Sequence, residues 1–202
     1  MKPEHARQLL AQEAARILAE EGRRDFLAAK HKAATRLGLA LKHLPTNREI
    51  EAALVAHQRL FEAPAQPARL ARLRQTALEV MGWLEGMETR AAGAVLGEIA
   101  TAHASVQLHV FVEPPERLVF RLTDLGVDYE ENTRRYTWRS GRVRDVPMFA
   151  FSVDGQVVET AVFGLNDLRE APMDAVDGLP MRRINKASLE NLIETSGSPV
   201  PI

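Results

Sequence analysis

No cysteine occurs among the 202 residues, so the chain has neither a disulfide framework nor a thiolate metal site, and the simplest compartment is a reducing cytoplasm. An excess of one charge is missing too: 26 Lys and Arg stand against 27 Asp and Glu, a formal net charge of -1. Binding nucleic acid through overall electrostatics needs clustered cations and counterion release, which this balance disfavours, leaving only a local basic patch. No apolar run approaches the roughly 20 residues of a membrane span. The start, Met1-Lys2-Pro3-Glu4-His5-Ala6-Arg7, continues amphipathically without the apolar core of a signal peptide. Repeats, low-complexity tracts and Gly/Ser linkers are also lacking. What is present is an ordinary globular balance, 46% hydrophobic and 26% charged, in a length that suits one large domain or two small ones. The expectation is a soluble cytoplasmic protein with no membrane contact.

From Pro3 to about Gly86 the chain is rich in Ala, Leu, Arg, Glu and Gln, strong helix formers broken by a few stops. Four helices fit. In the first, about Pro3 to Glu21, Leu9, Leu10, Ala14, Ile17 and Leu18 recur at three- and four-residue steps, and Gly22 is the stop. The second covers about Arg24 to Leu37 and ends at Gly38. Thr46 and Glu49 stand at capping-box spacing before the third, which should present Ile50, Leu54, His57 and Phe61 on one face. A fourth, about Ala68 to Leu84, carries Leu70, Leu73, Ala77, Val80, Met81 and Leu84. Between the last two, Ala63-Pro64-Ala65-Gln66-Pro67 reads as a hinge or, more simply, as a tight interhelical turn.

After Gly86 alternation and β-branched residues replace the helical stripe. Strands are expected near Glu88 to Ala92, Ser105 to Val112, Tyr129 to Trp138, Val146 to Val153 and Gln156 to Phe163, with Asp154-Gly155 as a two-residue hairpin turn. In the second strand Val106, Leu108, Val110 and Val112 form the core face, and Ser105, Gln107, His109 and Phe111 form the other. Pro114-Pro115 opens a helix to about Leu125, whose Leu118, Val119, Leu122 and Leu125 should cover the core face. Ser188 should cap a short final helix over about Leu189 to Glu194.

Between Thr89 and Val112 a short apolar run, Gly93-Ala94, ten spacer residues and Ser105-Val106-Gln107-Leu108 follow one another. This order resembles the nucleotidyltransferase superfamily, where a strand, Gly-Ser or Gly-Gly, a spacer and an acid-hydrophobic-acid strand succeed each other. Ala33-Ala34-Thr35-Arg36-Leu37-Gly38, Val158-Glu159-Thr160-Ala161-Val162-Phe163 and Val176-Asp177-Gly178-Leu179-Pro180-Met181 extend the likeness over most of the chain. Together they are similar to an uncharacterised family of bacterial nucleotidyltransferase-like proteins with a helical N-terminal half. The resemblance implies an α+β fold: a helical region of about four helices over 1–86, packed on a small mixed sheet of nucleotidyltransferase type over 87–202. It also implies descent from metal-dependent nucleotidyl transfer, with a third acid position matched by Glu159.

Two acids one residue apart on a strand point the same way and jointly hold a divalent cation beside a triphosphate. Here those places carry Ser105 and Gln107, neutral oxygens that cannot supply the negative charge a hard ion such as Mg²⁺ demands. Glu159 alone remains. It reads either as a solvated glutamate on an open sheet face or as a general base, a weak metal ligand or an arginine partner. Gly93-Ala94 allows backbone amides to approach a phosphate, or is simply a structural turn, and Ala94 lacks the hydroxyl of the family's serine. Arg134, Arg135, Arg139, Arg142 and Arg144, interleaved with Tyr136 and Trp138, form the one dense basic patch with aromatics. It reads as a phosphate and base contact or as a solvated edge hairpin, with Arg135 facing away from Arg134 and Tyr136. His103 and His109 read as satisfied or exposed histidines rather than metal ligands.

The favoured reading is a nucleotidyltransferase-like protein with a degenerate metal site, catalysis weak or lost, and a pocket for a nucleotide or other phosphorylated ligand. Glu159 is the catalytic candidate; Gly93, Ala94, Ser105, Gln107, Arg134 and Arg135 are the nucleotide and phosphate contacts. No resident cofactor is expected, with Mg²⁺ held weakly only by an active enzyme. Two alternatives stand: an active transferase using Glu159 and an unidentified acid, or an interaction module that pairs with itself or a partner through Leu70, Leu73, Val80 and Leu84.

Overall fold

A capping box starts one helix as its spacing demands: the Thr46 hydroxyl accepts from the Glu49 amide at 3.2 Å and the Glu49 carboxylate accepts from the Thr46 amide at 2.7 Å. The computed structural model describes residues 3–21, 25–61, 66–98, 100 and 103–197, the side chains of 58–61 excepted. Among them are six α-helices and a six-stranded mixed sheet, an α+β architecture. The helices are α1 Pro3–Glu21, α2 Phe26–Leu37, α3 Asn47–Phe61, α4 Gln66–Trp83, α5 Glu116–Asp124 and α6 Lys186–Gly197. The strands are β1 Glu88–Ala92, β2 Val106–Phe111, β3 Glu130–Thr137, β4 Val143–Val153, β5 Gln156–Phe163 and β6 Arg183–Ile184. No helix among the described residues is long and apolar enough to cross a membrane.

Contacts divide the chain into two compact units, one of Met1–Arg69, Ile99–His103 and Ala175–Gly178, the other of Leu70–Glu98, Ala104–Asp174 and Leu179–Ile202. The division falls inside α4 rather than at the change of period near residue 86. In the first unit α1 packs on both α2 and α3. Alanines 11, 14, 15, 29, 33 and 34 are buried among Leu10, Ile17, Leu18, Ile50 and Leu54, small residues letting backbones approach while the larger ones fill the space. Asp25 caps α2 by accepting from the Ala28 amide at 3.0 Å. The Ala63-to-Pro67 turn and the side chain of Phe61 lie largely or wholly outside the described residues.

In the second unit the strand order is β3-β4-β5-β2-β1-β6. Only β2 and β5 pair in parallel; the other neighbours are antiparallel. Asp154 and Gly155, at φ of 48° and 77°, make the tight β4–β5 turn. One face of the sheet carries Ala91, Val106, Leu108, Val110, Val158, Val162 and Phe149, all buried. Leu73, Ala77, Val80 and Leu84 of α4, Leu118 and Leu122 of α5 and Leu189 of α6 are equally buried and supply the helical layer such a face requires. Leu125, expected in that layer, is exposed, because α5 ends one residue earlier. The cap of α6 also differs from expectation: Asn185, not Ser188, accepts from the Ser188 amide at 2.9 Å, so the helix begins earlier.

The interaction surface expected on α4 does not exist as a free surface. Leu70, Leu73, Val80 and Leu84 are all 9% exposed or less.

Candidate functional site

Ser105, Gln107 and Glu159 meet because β2 and β5 are parallel neighbours. Gln107 and Glu159 are register partners, and alternation aims both at the sheet's second face, with Ser105 just before β2 on the same side. The Ser105 hydroxyl donates to Glu159 Oε2 at 2.9 Å. Arg134 on β3 reaches across β4 to the same carboxylate, its Nη2 lying 3.4 Å from each oxygen. Arg134 pairs with Val146 and Glu159 with Ala150, so the side chains meet along a diagonal across β4. Burial alone would lower the Arg134 guanidinium, but Tyr136 and Glu159 outweigh it and hold the group above its ordinary value.

Gly93 opens a single 3-10 turn, Gly93–Leu96, directly after β1. Its φ is +63°, and a Cβ there would collide with Gln107 Oε1. Glycine is thus what lets the backbone lie against the Gln107 side chain. Ala94 follows in the same turn, its carbonyl accepting from the Gly97 amide at 3.0 Å. Gly93, Ser105, Gln107, Glu159 and Arg134 form one group with Ala94 adjoining. Arg135 does not belong to it. Alternation turns that side chain to the other face, where it pairs with Asp145 at 2.9 Å.

The rest of this face, with His109 and Phe111, is not open, and of the two readings of His109 the buried one holds. Both are buried, in and beside a cluster of Tyr136, Trp138, Val146, Met148, Ala161 and Phe163. His109 packs its ring against Phe163 at 4.7 Å and edge-on to Tyr136 at 6.0 Å. Burial, with the charges of Arg183 and Arg134, pushes its imidazole down to about 3, so the ring is neutral. His103, by contrast, is exposed.

This cluster also changes the reading of the arginine hairpin. Trp138 is 1% exposed, and the guanidinium carbons of Arg142 and Arg144 lie 4.3 and 5.1 Å from its ring centre. The same two arginines bind the buried Asp167 carboxylate, Arg142 at 3.0 Å. Trp138 is therefore covered by the protein's own cations and Tyr136 is buried in the cluster, so neither ring is open for stacking on a base. Sequence reasoning missed Asp167, Arg90 and Arg183. Arg90 carried a signal in β1, where it shares the facing of Ala92, whereas Asp167 meets its arginines only through long-range folding.

No family model, curated protein or solved structure matches this chain. The site must be weighed on its own chemistry. Glu159 is its one acid, already engaged by a hydroxyl and a guanidinium, and no group of three or more His, Asp or Glu among the described residues is placed to hold a metal. Ser105 and Gln107 add only neutral oxygens. That donor set does not fit the divalent cation which paired acids would hold. Two depressions of about 350 and 300 Å³ lie elsewhere, one lined by Met81, Glu85, Thr89 and Lys186, the other by Arg72, Glu79, Asp154 and Gln156.

Proposed function

We propose that the protein is nucleotidyltransferase-like, with a sheet of that type, and that it binds a nucleotide or other phosphorylated ligand while metal-dependent transfer is weak or lost. One observation carries the reading: Gln107 and Glu159 are register partners on parallel strands, beneath a glycine turn that lies against Gln107. In the resemblance noted above, the acids that hold metal occupy such neighbouring places. Replacing one partner by an amide and pairing the other with Arg134 retains polar recognition while removing the charge that binds a metal. Function resides in the site rather than the scaffold, and the neutral Ser105 and Gln107 support the reading of weak or lost transfer. The lack of cysteine fits residence in the cytoplasm.

The test combines calorimetric titration of nucleoside triphosphates with transfer from labelled nucleotides in Mg²⁺ or Mn²⁺, for the wild type and Glu159→Ala. Binding with transfer at background in both proteins is expected. Transfer well above background that Glu159→Ala abolishes would establish the active alternative, and failure to bind any nucleotide or phosphorylated compound would overturn the proposal.

A further inference from the structure

We infer that this face grips the phosphates of its ligand through guanidinium groups without a divalent cation, using Arg134 together with Arg90 and Arg183. The inference rests on reading the site as one for a phosphorylated ligand and adds how that ligand is held.

The placement follows from strand register. Arg90 on β1 is the cross-strand partner of His109, and Arg183 on β6 is the partner of Ala92, two residues further along β1. Arg90 and Arg183 are thus diagonal neighbours on one face, within mutual reach of long side chains. Arg134 approaches from the opposite edge, through β3. All three surround the stretch of β2 that carries Gln107 and His109.

Negative charge is short on this ground. Arg90 has Glu88 as its ion-pair partner and Arg134 has Glu159. The Asp167 carboxylate already serves Arg142 and Arg144, so it offers Arg183 only its backbone carbonyl, at 3.3 Å, beside that of Leu168 at 3.3 Å. The Arg183 guanidinium carbon also lies 5.1 Å from the Phe111 ring centre. Among the described residues Arg183 forms no ion pair within contact distance, and burial followed by the neighbouring charge of Arg90 holds it below its ordinary value against the weaker pull of the Asp167 carboxylate. A partly buried guanidinium beside a second cation, with carbonyls as its hydrogen-bond partners and a carboxylate only at longer range, has its charge incompletely compensated. Beneath lies His109, 2% exposed, whose Nδ1 has no hydrogen-bond partner among the described residues.

A chain of phosphates has the matching chemistry. It presents several anionic oxygens along its length, and the planar guanidinium fork binds such oxygens in charge-assisted pairs. A magnesium ion placed among these groups would meet three cations and two acids, Glu88 and Glu159, each already paired with arginine. Guanidinium groups take over the neutralising part that metal plays elsewhere in phosphate recognition.

The experiment is a calorimetric titration with inorganic tripolyphosphate, first in EDTA and then with Mg²⁺, on wild type, Arg183→Gln and Arg134→Gln, each checked by thermal melting. Binding in EDTA is expected, with affinity falling at least about tenfold in either variant. Binding that requires Mg²⁺ would overturn the inference and leave the phosphorylated-ligand reading standing. No binding of tripolyphosphate or of a nucleoside triphosphate, with or without Mg²⁺, would overturn both. Should Arg183→Gln fail to fold, Arg183→Lys and Arg134→Gln carry the test: lysine keeps the charge and a measurable affinity, and unchanged affinity in Arg134→Gln overturns the inference.

Discussion

The two faces of the sheet are built on the same strands and do opposite work. On one, Val106, Leu108, Val110, Val158 and Val162 form a mainly aliphatic surface whose burial stabilises the unit, the buried Thr160 hydroxyl among them donating to the Phe149 carbonyl at 3.0 Å. On the other, apolar and polar residues divide the strand by position: Phe111 and Phe163 lie in a buried aromatic cluster, whereas Gln107 and Glu159, four residues earlier on β2 and β5, remain partly accessible. A single strand such as β2 therefore carries core, aromatic support and site in three adjacent steps. The lesson is that a polar face need not be a solvated face, and that the supporting cluster fixes where the polar end sits.

The strongest way to break this contrast is to truncate one side chain on each face at neighbouring positions. Leu108 is fully buried on the aliphatic face, so Leu108→Ala should cost about 3 kcal/mol, the lost transfer energy plus the cavity left behind. Gln107→Ala, one residue away, should cost roughly 0.5 kcal/mol or less, as a change outside the packed interior. Urea midpoints at constant slope measure both. Equal losses would show that the second face is as tightly packed at Gln107 as the first is at Leu108.

A smaller effect probes the supporting cluster. The folded-state pKa of His109 is depressed to about 3 from an ordinary 6.5, so between those values the unfolded chain binds a proton that the folded chain excludes. The contribution is present above pH 6.5 and is lost as pH falls, at about 1.4 kcal/mol per pH unit. From pH 6.5 to 5 the decline should reach roughly 2 kcal/mol. Glu13 and Glu49 are held below their ordinary 4.5, the first by its hydrogen bond to Arg16 and the second by the Thr46 amide. Their share is present above that ordinary value and is lost only as pH falls further. Stability measured across this window in wild type and His109→Gln isolates the imidazole, and identical slopes would mean that His109 is solvated.

Much of this contrast was legible in the sequence, and the misses share a cause. The helical stripes of α1 and α4, the capping box at Thr46 and the alternation of β2 rest on neighbours within a few residues, which sequence displays directly. The register of Gln107 with Glu159 was approachable because each strand had a clear facing. What could not be read was what lies over the second face. Whether His109 is buried or exposed stays open in the sequence because Tyr136, Trp138 and Phe163 reach that face only after β3, β4 and β5 have folded across. The arginine hairpin reads as a ligand contact or as a solvated edge, and neither reading anticipates Asp167, which binds Arg142 and Arg144 from more than twenty positions away.

The finest test separates the site end of the second face from backbone conformation alone. Gly93 and Gly155 both have positive φ, +63° and +77°, so alanine at either is strained by its backbone, at roughly 1 kcal/mol. They differ in surroundings. A Cβ at Gly155 would meet nothing within 4 Å, whereas one at Gly93 would press on the Gln107 side chain. Gly93→Ala should therefore cost more than Gly155→Ala by about 0.5 kcal/mol, a flexible side chain giving way rather than a backbone. In a Gln107→Ala background the excess should vanish, leaving the two glycine substitutions equal within error in a double-mutant cycle. An excess that survives the loss of Gln107 would mean that the turn meets something other than this side chain, and the close approach of Gly93 to the candidate site would have to be abandoned.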